Sequence, residues 1–145
     1  MTKLQIENHP KLLQEYGRAF AWISAVDLML IALIQIKDNN KTYKELEEKY
    51  TLGEKIGLIR EEEWLDSNLI DRLSDLNKNR NILAHGAAGE IVVDPKNPHI
   101  KSGKFVILHK GEKKIFNETF LQKISDEARK IIVELYNSIP NPSKV

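Results

Sequence analysis

Arg80 and His85 are the two residues of this 145-residue chain whose types and spacing are best suited to chemistry. They lie in the heptapeptide RNILAHG, which begins at Arg80. An arginine is a permanent cation, and a histidine can exchange a proton near neutral pH. The pair therefore has the elements needed to hold an anion and to move a proton beside it.

Arg80 interrupts an apolar helix face. At about 100° per residue, Arg80 projects into the middle of a face made of leucines. These are Leu65, Leu69, Leu73, Leu76 and Leu83. Burying a guanidinium is costly unless it is paired, hydrogen-bonded or turned toward a partner. Asp27 stands in an otherwise apolar run, so a buried Asp27–Arg80 ion pair is one interpretation of both residues. His85 has a structural interpretation too, because a histidine before a glycine often contacts the last carbonyls of a helix.

Two helical regions are predicted before this motif. The first begins after His9-Pro10, with Pro10 tolerated in its first turn, and runs from Lys11 to about Lys37. Thr42 followed by Glu45 is the pattern of a capping box and opens a second region that extends to about residue 63. Gly53 and its neighbour one turn on, Gly57, are expected to mark an irregular middle.

The motif helix and the segment after it differ in period. The third helix is predicted to be capped by Asp66 or Ser67 and to end at His85, with Gly86 in the position that glycine favours after a helix. Residues 90–116 instead alternate short apolar runs with turn residues, which indicates two or three short strands. Asn117 or Thr119 then caps the last helix.

These elements predict an all-α fold: a four-helix bundle with a small β-ribbon inserted between the third and last long helices. We expect a single domain over 1–145, with a helical core at about 10–88 and 117–139 and the ribbon at about 90–116. There is no cysteine, which excludes disulfides and thiolate chemistry, and the histidines lack metal-ligand spacing. We expect no secretion signal and no membrane span, because Asp27 lies near the centre of the apolar run, and hence a cytoplasmic protein.

The ribbon concentrates positive charge in a chain whose net charge is only +1. Residues 96–114 hold six lysines and one acid. Five of these lysines are candidate RNA-backbone contacts: Lys101, Lys104, Lys110, Lys113 and Lys114. The equally weighted alternative is that lysines on short edge strands prevent edge-to-edge aggregation.

The ten residues from Asn77 to Gly86, NKNRNILAHG, resemble the signature of the HEPN superfamily. That signature is an arginine, usually followed by a polar residue, with a histidine a short fixed step later near a helix end. Many members with this motif are metal-independent ribonucleases of toxin, antiphage and RNA-processing systems. The motif covers ten residues, and the order of the helices agrees with it over residues 10–139.

The resemblance implies roles for four residues. Arg80 would hold the scissile phosphate, and His85 would move a proton to or from the ribose 2′-hydroxyl or the leaving 5′-oxygen. Asn81, with Asn77 one turn earlier, would orient phosphate oxygens or the two side chains. The products would carry 2′,3′-cyclic phosphate and 5′-hydroxyl ends, with no cofactor. On an ideal helix Arg80 and His85 point roughly 140° apart, and members of the family commonly form homodimers in which two motif helices line one composite cleft.

The resemblance also implies partners and has one departure. A toxin of this kind would be neutralised by an antitoxin or a nucleotidyltransferase. A subgroup carries a tyrosine two residues after the histidine, which such a nucleotidyltransferase modifies with AMP, and this chain has Ala87 there. The alternative function is a non-catalytic HEPN-like module that dimerises and binds a partner protein, a nucleotide or RNA.

Overall fold

A computed structural model describes residues 2–94, 96, 97 and 101–139 of the chain. These residues fold into five α-helices and a small antiparallel sheet. The helices are α1 (Pro10–Lys37), α2 (Tyr43–Glu48), α3 (Leu52–Glu61), α4 (Ser67–His85) and α5 (Glu118–Ser138). The strands are β1 (Thr2–Lys3), β2 (Ala87–Val92), β3 (Lys101–His109) and β4 (Glu112–Ile115). The prediction of a mostly helical fold with a small appended β element is confirmed.

Side-chain caps fix where the helices begin. Thr42 accepts a hydrogen bond from the Glu45 N–H at 3.1 Å at the start of α2. Asp66 does the same for Leu69 at 2.9 Å at the start of α4, and Asn117 for Phe120 at 2.8 Å at the start of α5. Each cap satisfies one of the backbone donors that a helix start leaves unpaired. Of the predicted alternatives, Asp66 and Asn117 are therefore the caps.

The second helical region was predicted wrongly in its middle. The helix is interrupted at residues 49–51, between α2 and α3, and both Gly53 and Gly57 lie inside α3. Thr51 and Glu54 form a complete capping box, with Thr51 Oγ1 accepting from the Glu54 N–H and Glu54 Oε1 accepting from the Thr51 N–H. This second Thr-x-x-Glu pattern starts a new helix, which outweighs the local effect of the two glycines.

The sheet is larger than the predicted ribbon, because β1 from the N-terminus pairs with β2 to give the order β1-β2-β3-β4. The β3–β4 hairpin turns at Lys110 and Gly111, which both have positive φ as a tight two-residue turn requires. Ile107 of β3 belongs to the hydrophobic core, so the sheet packs against the helices and fixes the chain that leaves α4.

Helix α1 forms the centre of the helical layer, with five residues that are completely buried: Ala19, Val26, Leu30, Leu33 and Ile34. Among the described residues it is the one helix long and apolar enough to cross a membrane, with a mean hydropathy of 2.0 over an 18-residue window that is 39% buried. Burial of these residues against the rest of the core accounts for part of that apolar character.

Candidate active site

A cleft of about 550 Å³ brings the motif helix together with α1 and the α2–α3 connection. Four residues of α4 line it: Asn77, Arg80, Asn81 and His85. The opposite walls come from α1, through Phe20, Ile23, Ser24 and Asp27, and from residues 47–53 with Lys55. All four motif residues singled out in the sequence, and Asp27, thus face one concave site within a single subunit.

Arg80 is half-buried in this cleft. Its Nη1 donates a long hydrogen bond of 3.4 Å to Asn81 Oδ1. Among the described residues, no carboxylate lies within 4.0 Å of its guanidinium. The cation is therefore positioned by the neighbouring amide but is not neutralised, and its remaining donors are available to an anion in the cleft.

The predicted Asp27–Arg80 ion pair is wrong, because Asp27 pairs with Lys55 instead. Lys55 Nζ lies 2.8 Å from Asp27 Oδ1 and donates a hydrogen bond of 3.1 Å to the Leu46 carbonyl. The Lys55 side chain is only 2% exposed, whereas that of Asp27 is 34% exposed. This one ammonium connects α1, α2 and α3 at the floor of the cleft and leaves Arg80 without that acid.

His85 is the last residue of α4 and is exposed at the cleft. The glycine after it has φ −74° and ψ 155°, an extended conformation that any residue adopts, so the expected left-handed glycine cap is not formed. Gly86 is required by space instead. A Cβ there would lie 2.4 Å from the Ile82 carbonyl oxygen and 2.7 Å from Ile107 Cγ1. Close approach of β3 thus holds the chain immediately after His85.

Tyr16 of α1 secures the same turn from the other side. Its hydroxyl donates a 2.7 Å hydrogen bond to the Leu83 carbonyl, one of the groups that a helix end leaves without an intrahelical partner. Burial raises the pKa of the Tyr16 hydroxyl, because the charged form would lose its hydration. The ring packs edge to face on Phe20, with ring centres 4.9 Å apart, and Phe20 lines the cleft.

Asn77 has a packing role as well as a place in the cleft. Its Nδ2 would lie 2.9 Å from a Cβ placed on Gly53. The absence of a side chain at Gly53 therefore lets α3 approach α4 closely enough for the Asn77 amide to lie over it. This contact places the amide one helical turn before Arg80 on the cleft wall.

The ribbon lysines are spread along the sheet. Lys110 lies in the hairpin turn directly after His109, and Lys113 of β4 pairs with Leu108 of β3. Lys114 lines a different cavity, beside Arg72 and Asn79. Lys104 is five residues from His109 along β3, about 17 Å at the rise of a β-strand. Lys101 lies at the start of β3, and its side chain is outside the described residues.

Two contributors to the site were missed in the sequence. Lys55 lies in the apolar stripe of α3, between Leu52 and Ile59, and the reasoning that singled out Arg80 would have found it. The walls formed by residues 47–53 depend on where α3 begins, and the pattern Thr51-x-x-Glu54 carries that signal.

No protein-family model, no curated protein and no solved structure matches this chain.

Proposed function

We propose that the protein is a metal-independent endoribonuclease of the toxin or phage-defence type, with an HEPN-like bundle and a cytoplasmic location. The observation that carries the proposal is the pairing of Arg80 and His85 in one cleft. Arg80 has no carboxylate partner among the described residues, and His85 is accessible to a substrate. A guanidinium without a carboxylate partner favours an anionic ligand, and an imidazole in the same cleft can exchange a proton with that ligand.

The proposed reaction is transphosphorylation of RNA. The ribose 2′-oxygen attacks phosphorus, the bond from phosphorus to the 5′-oxygen breaks, and the products carry 2′,3′-cyclic phosphate and 5′-hydroxyl ends. Arg80 binds the non-bridging oxygens and stabilises the charge that develops on them. His85 transfers one of the protons. Asn81 orients the guanidinium through the contact at 3.4 Å, and Asn77 is one turn away on the same wall.

The proposed enzyme is a homodimer with a composite cleft. The solvent-facing side of α1 bears an uncharged strip with three- to four-residue spacing: Leu13, Gly17, Ala21, Ser24 and Leu28. Leu13 is 43% exposed and Leu28 is 52% exposed. Because Ser24 belongs to both the strip and the cleft wall, a second subunit docked on this strip would border the cleft.

Cleavage of a mixed cellular RNA pool in the presence of EDTA tests the proposal. We expect wild-type protein to cleave and to leave 2′,3′-cyclic phosphate and 5′-hydroxyl ends, and His85→Ala to cleave at least about 10²-fold more slowly, as loss of a proton-transfer group does. His9→Ala is the matched control, because His9 packs on Phe105 and does not line the cleft. It should cleave like wild type.

Absence of cleavage by a folded dimeric wild-type protein would contradict the proposal and favour the binding-module alternative. In that case, the affinity for a partner protein, a nucleotide or RNA would be unchanged by His85→Ala. Equal cleavage by wild type and His85→Ala would identify a contaminating nuclease or a different site.

A further inference from the structure

His109, the last residue of β3, lies beside His85. The centres of the two imidazole rings are 6.3 Å apart, with 30° between the ring planes. His109 is half-buried, whereas His85 is exposed. The motif at residues 77–86 does not include His109, which the sheet brings beside His85, a residue of the cleft wall.

The placement of His109 is fixed by the sheet register. Ala87 pairs with Leu108 across β2 and β3, so the residue after Leu108 is carried back toward the end of α4. On the other side, His109 pairs with Glu112 across the tight turn at Lys110 and Gly111. Ile107, two residues before His109 on β3, packs against Gly86. Contacts of three consecutive residues of β3 thus fix the end of this strand beside the end of α4.

We propose that His85 and His109 form the acid–base pair of the reaction, an inference that rests on the proposed ribonuclease function. Neutral His109 takes the proton of the 2′-hydroxyl as the bond from the 2′-oxygen to phosphorus forms. Protonated His85 gives its proton to the 5′-oxygen as the bond from phosphorus to that oxygen breaks. The reaction leaves His109 protonated and His85 neutral, and proton exchange with water restores both.

The geometry allows the two rings to act on one phosphate. Each transfer requires about 2.6–3.2 Å between nitrogen and oxygen. The 2′- and 5′-oxygens flank a single phosphorus, so two rings 6.3 Å apart can each contact one of them. We assign donation to His85, the exposed ring that lines the cleft, and proton abstraction to the half-buried His109.

Single-turnover cleavage of two defined oligonucleotides tests the assignment. One carries an ordinary linkage, and the other carries sulfur in place of the 5′-bridging oxygen, a leaving group that needs no proton. We expect His85→Ala to lose at least about 10²-fold on the ordinary linkage and to recover with sulfur. His109→Asn and His109→Gln should lose at least about 10²-fold on both substrates. His9→Ala, which removes a histidine that packs on the same strand, should match wild type on both.

The outcomes distinguish the failure of this inference from the failure of the proposed ribonuclease function on which it rests. If both His109 variants cleave the ordinary linkage within about threefold of wild type, far less than loss of a proton-transfer group costs, His109 takes no part and the ribonuclease remains. If sulfur restores the His109 variants, the direction of proton transfer is overturned. If wild-type protein cleaves neither substrate, both proposals fail. Thermal unfolding of each variant, compared with His9→Ala, identifies any loss that comes from unfolding.

Discussion

At the level of residues, two cations of the cleft lie in apolar helix stripes, and they differ in their contacts. Lys55 is enclosed by the Asp27 carboxylate and the Leu46 carbonyl. Among the described residues, the one hydrogen-bond partner of the Arg80 guanidinium is the amide of Asn81 at 3.4 Å. Removing one partner of a buried ion pair is destabilising, whereas a half-buried cation without an acid has donors available to an external anion. This contrast is the reason that we propose Arg80 as the ligand-binding cation of the cleft.

Replacing Lys55 with methionine should destabilise the fold. The substitution leaves the Asp27 carboxylate without its cation and the Leu46 carbonyl without its donor. We expect the free energy of unfolding to fall by roughly 2–3 kcal/mol, somewhat less than for a fully buried pair, because Asp27 retains access to solvent. Denaturant unfolding of Lys55→Met measures the effect.

Lys49→Met is the control, since Lys49 is an exposed lysine of the same cleft and its loss should change stability by less than about 0.5 kcal/mol. In Asp27→Asn/Lys55→Met the loss should be smaller than the sum of the two single losses. Additive losses would contradict the assigned ion pair.

At the level of elements, the last turn of α4 is held from two sides. Tyr16 of α1 bonds the Leu83 carbonyl at 2.7 Å, and β3 packs against Gly86. His85 lies between these two attachments at the helix end. The local sequence determines the helix, but packing of α1 and β3 determines where its final histidine lies.

The hydroxyl of Tyr16 should make stability fall at alkaline pH. Its pKa in the folded state is raised by burial above the ordinary value near 10. Its contribution is therefore complete below about pH 10 and is lost as pH rises through the raised value. Tyr16→Phe should lower the free energy of unfolding at neutral pH by about 1 kcal/mol and should flatten its decline above pH 10. Tyr136→Phe, at a side chain 73% exposed, should keep the decline. An unchanged alkaline slope in Tyr16→Phe would contradict this assignment.

Gly86→Ala should be destabilising although the backbone at Gly86 has an ordinary conformation. The added Cβ would contact the Ile82 carbonyl and Ile107 at distances that require the backbone or β3 to shift, at a cost of roughly 1–3 kcal/mol. Gly57→Ala is the matched change, because a Cβ there meets nothing within 4 Å and Gly57 lies inside α3. It should stabilise by about 0.5–1 kcal/mol. Thermal unfolding of the two variants compares them, and equal effects would show that contact with β3 is not the reason for Gly86.

The sequence predicted the elements better than their contacts. Periodicity and caps located α1, α4 and α5, because those signals depend on neighbouring residues. The partner of Asp27 could not be read from periodicity, since Lys55 and Arg80 are both cations on helices that pack near α1. The place of His109 beside His85 depends on the register between β2 and β3, which no local pattern specifies.

At the level of the whole molecule, one face of α1 differs from the sheet in its charge. The described ribbon lysines extend over the sheet, whereas the solvent-facing strip of α1 that begins at Leu13 and ends at Leu28 carries no charge. The strip borders the cleft at Ser24. This uncharged helix face is the surface on which we propose that a second copy of the chain docks.

Ala21→Glu should weaken the proposed dimer. Ala21 lies in the middle of the strip, so a twofold interface would bury two carboxylates near each other, which costs several kcal/mol. Light scattering after size-exclusion chromatography should give a dimer for wild type and a monomer for Ala21→Glu. Val133→Glu, at a side chain 60% exposed on α5, should remain a dimer. A dimer in all three proteins would place the interface elsewhere.

The most direct test of the central claim is single-turnover cleavage of one defined RNA oligonucleotide by wild type, Arg80→Ala, His85→Ala and the double variant, with EDTA present. Because the two residues act on one phosphate, we predict that each single variant loses at least about 10²-fold and that the double variant is little slower than the poorer single variant. Cleavage at the wild-type rate by either single variant, with every protein folded, would contradict the assignment of this cleft as a ribonuclease site.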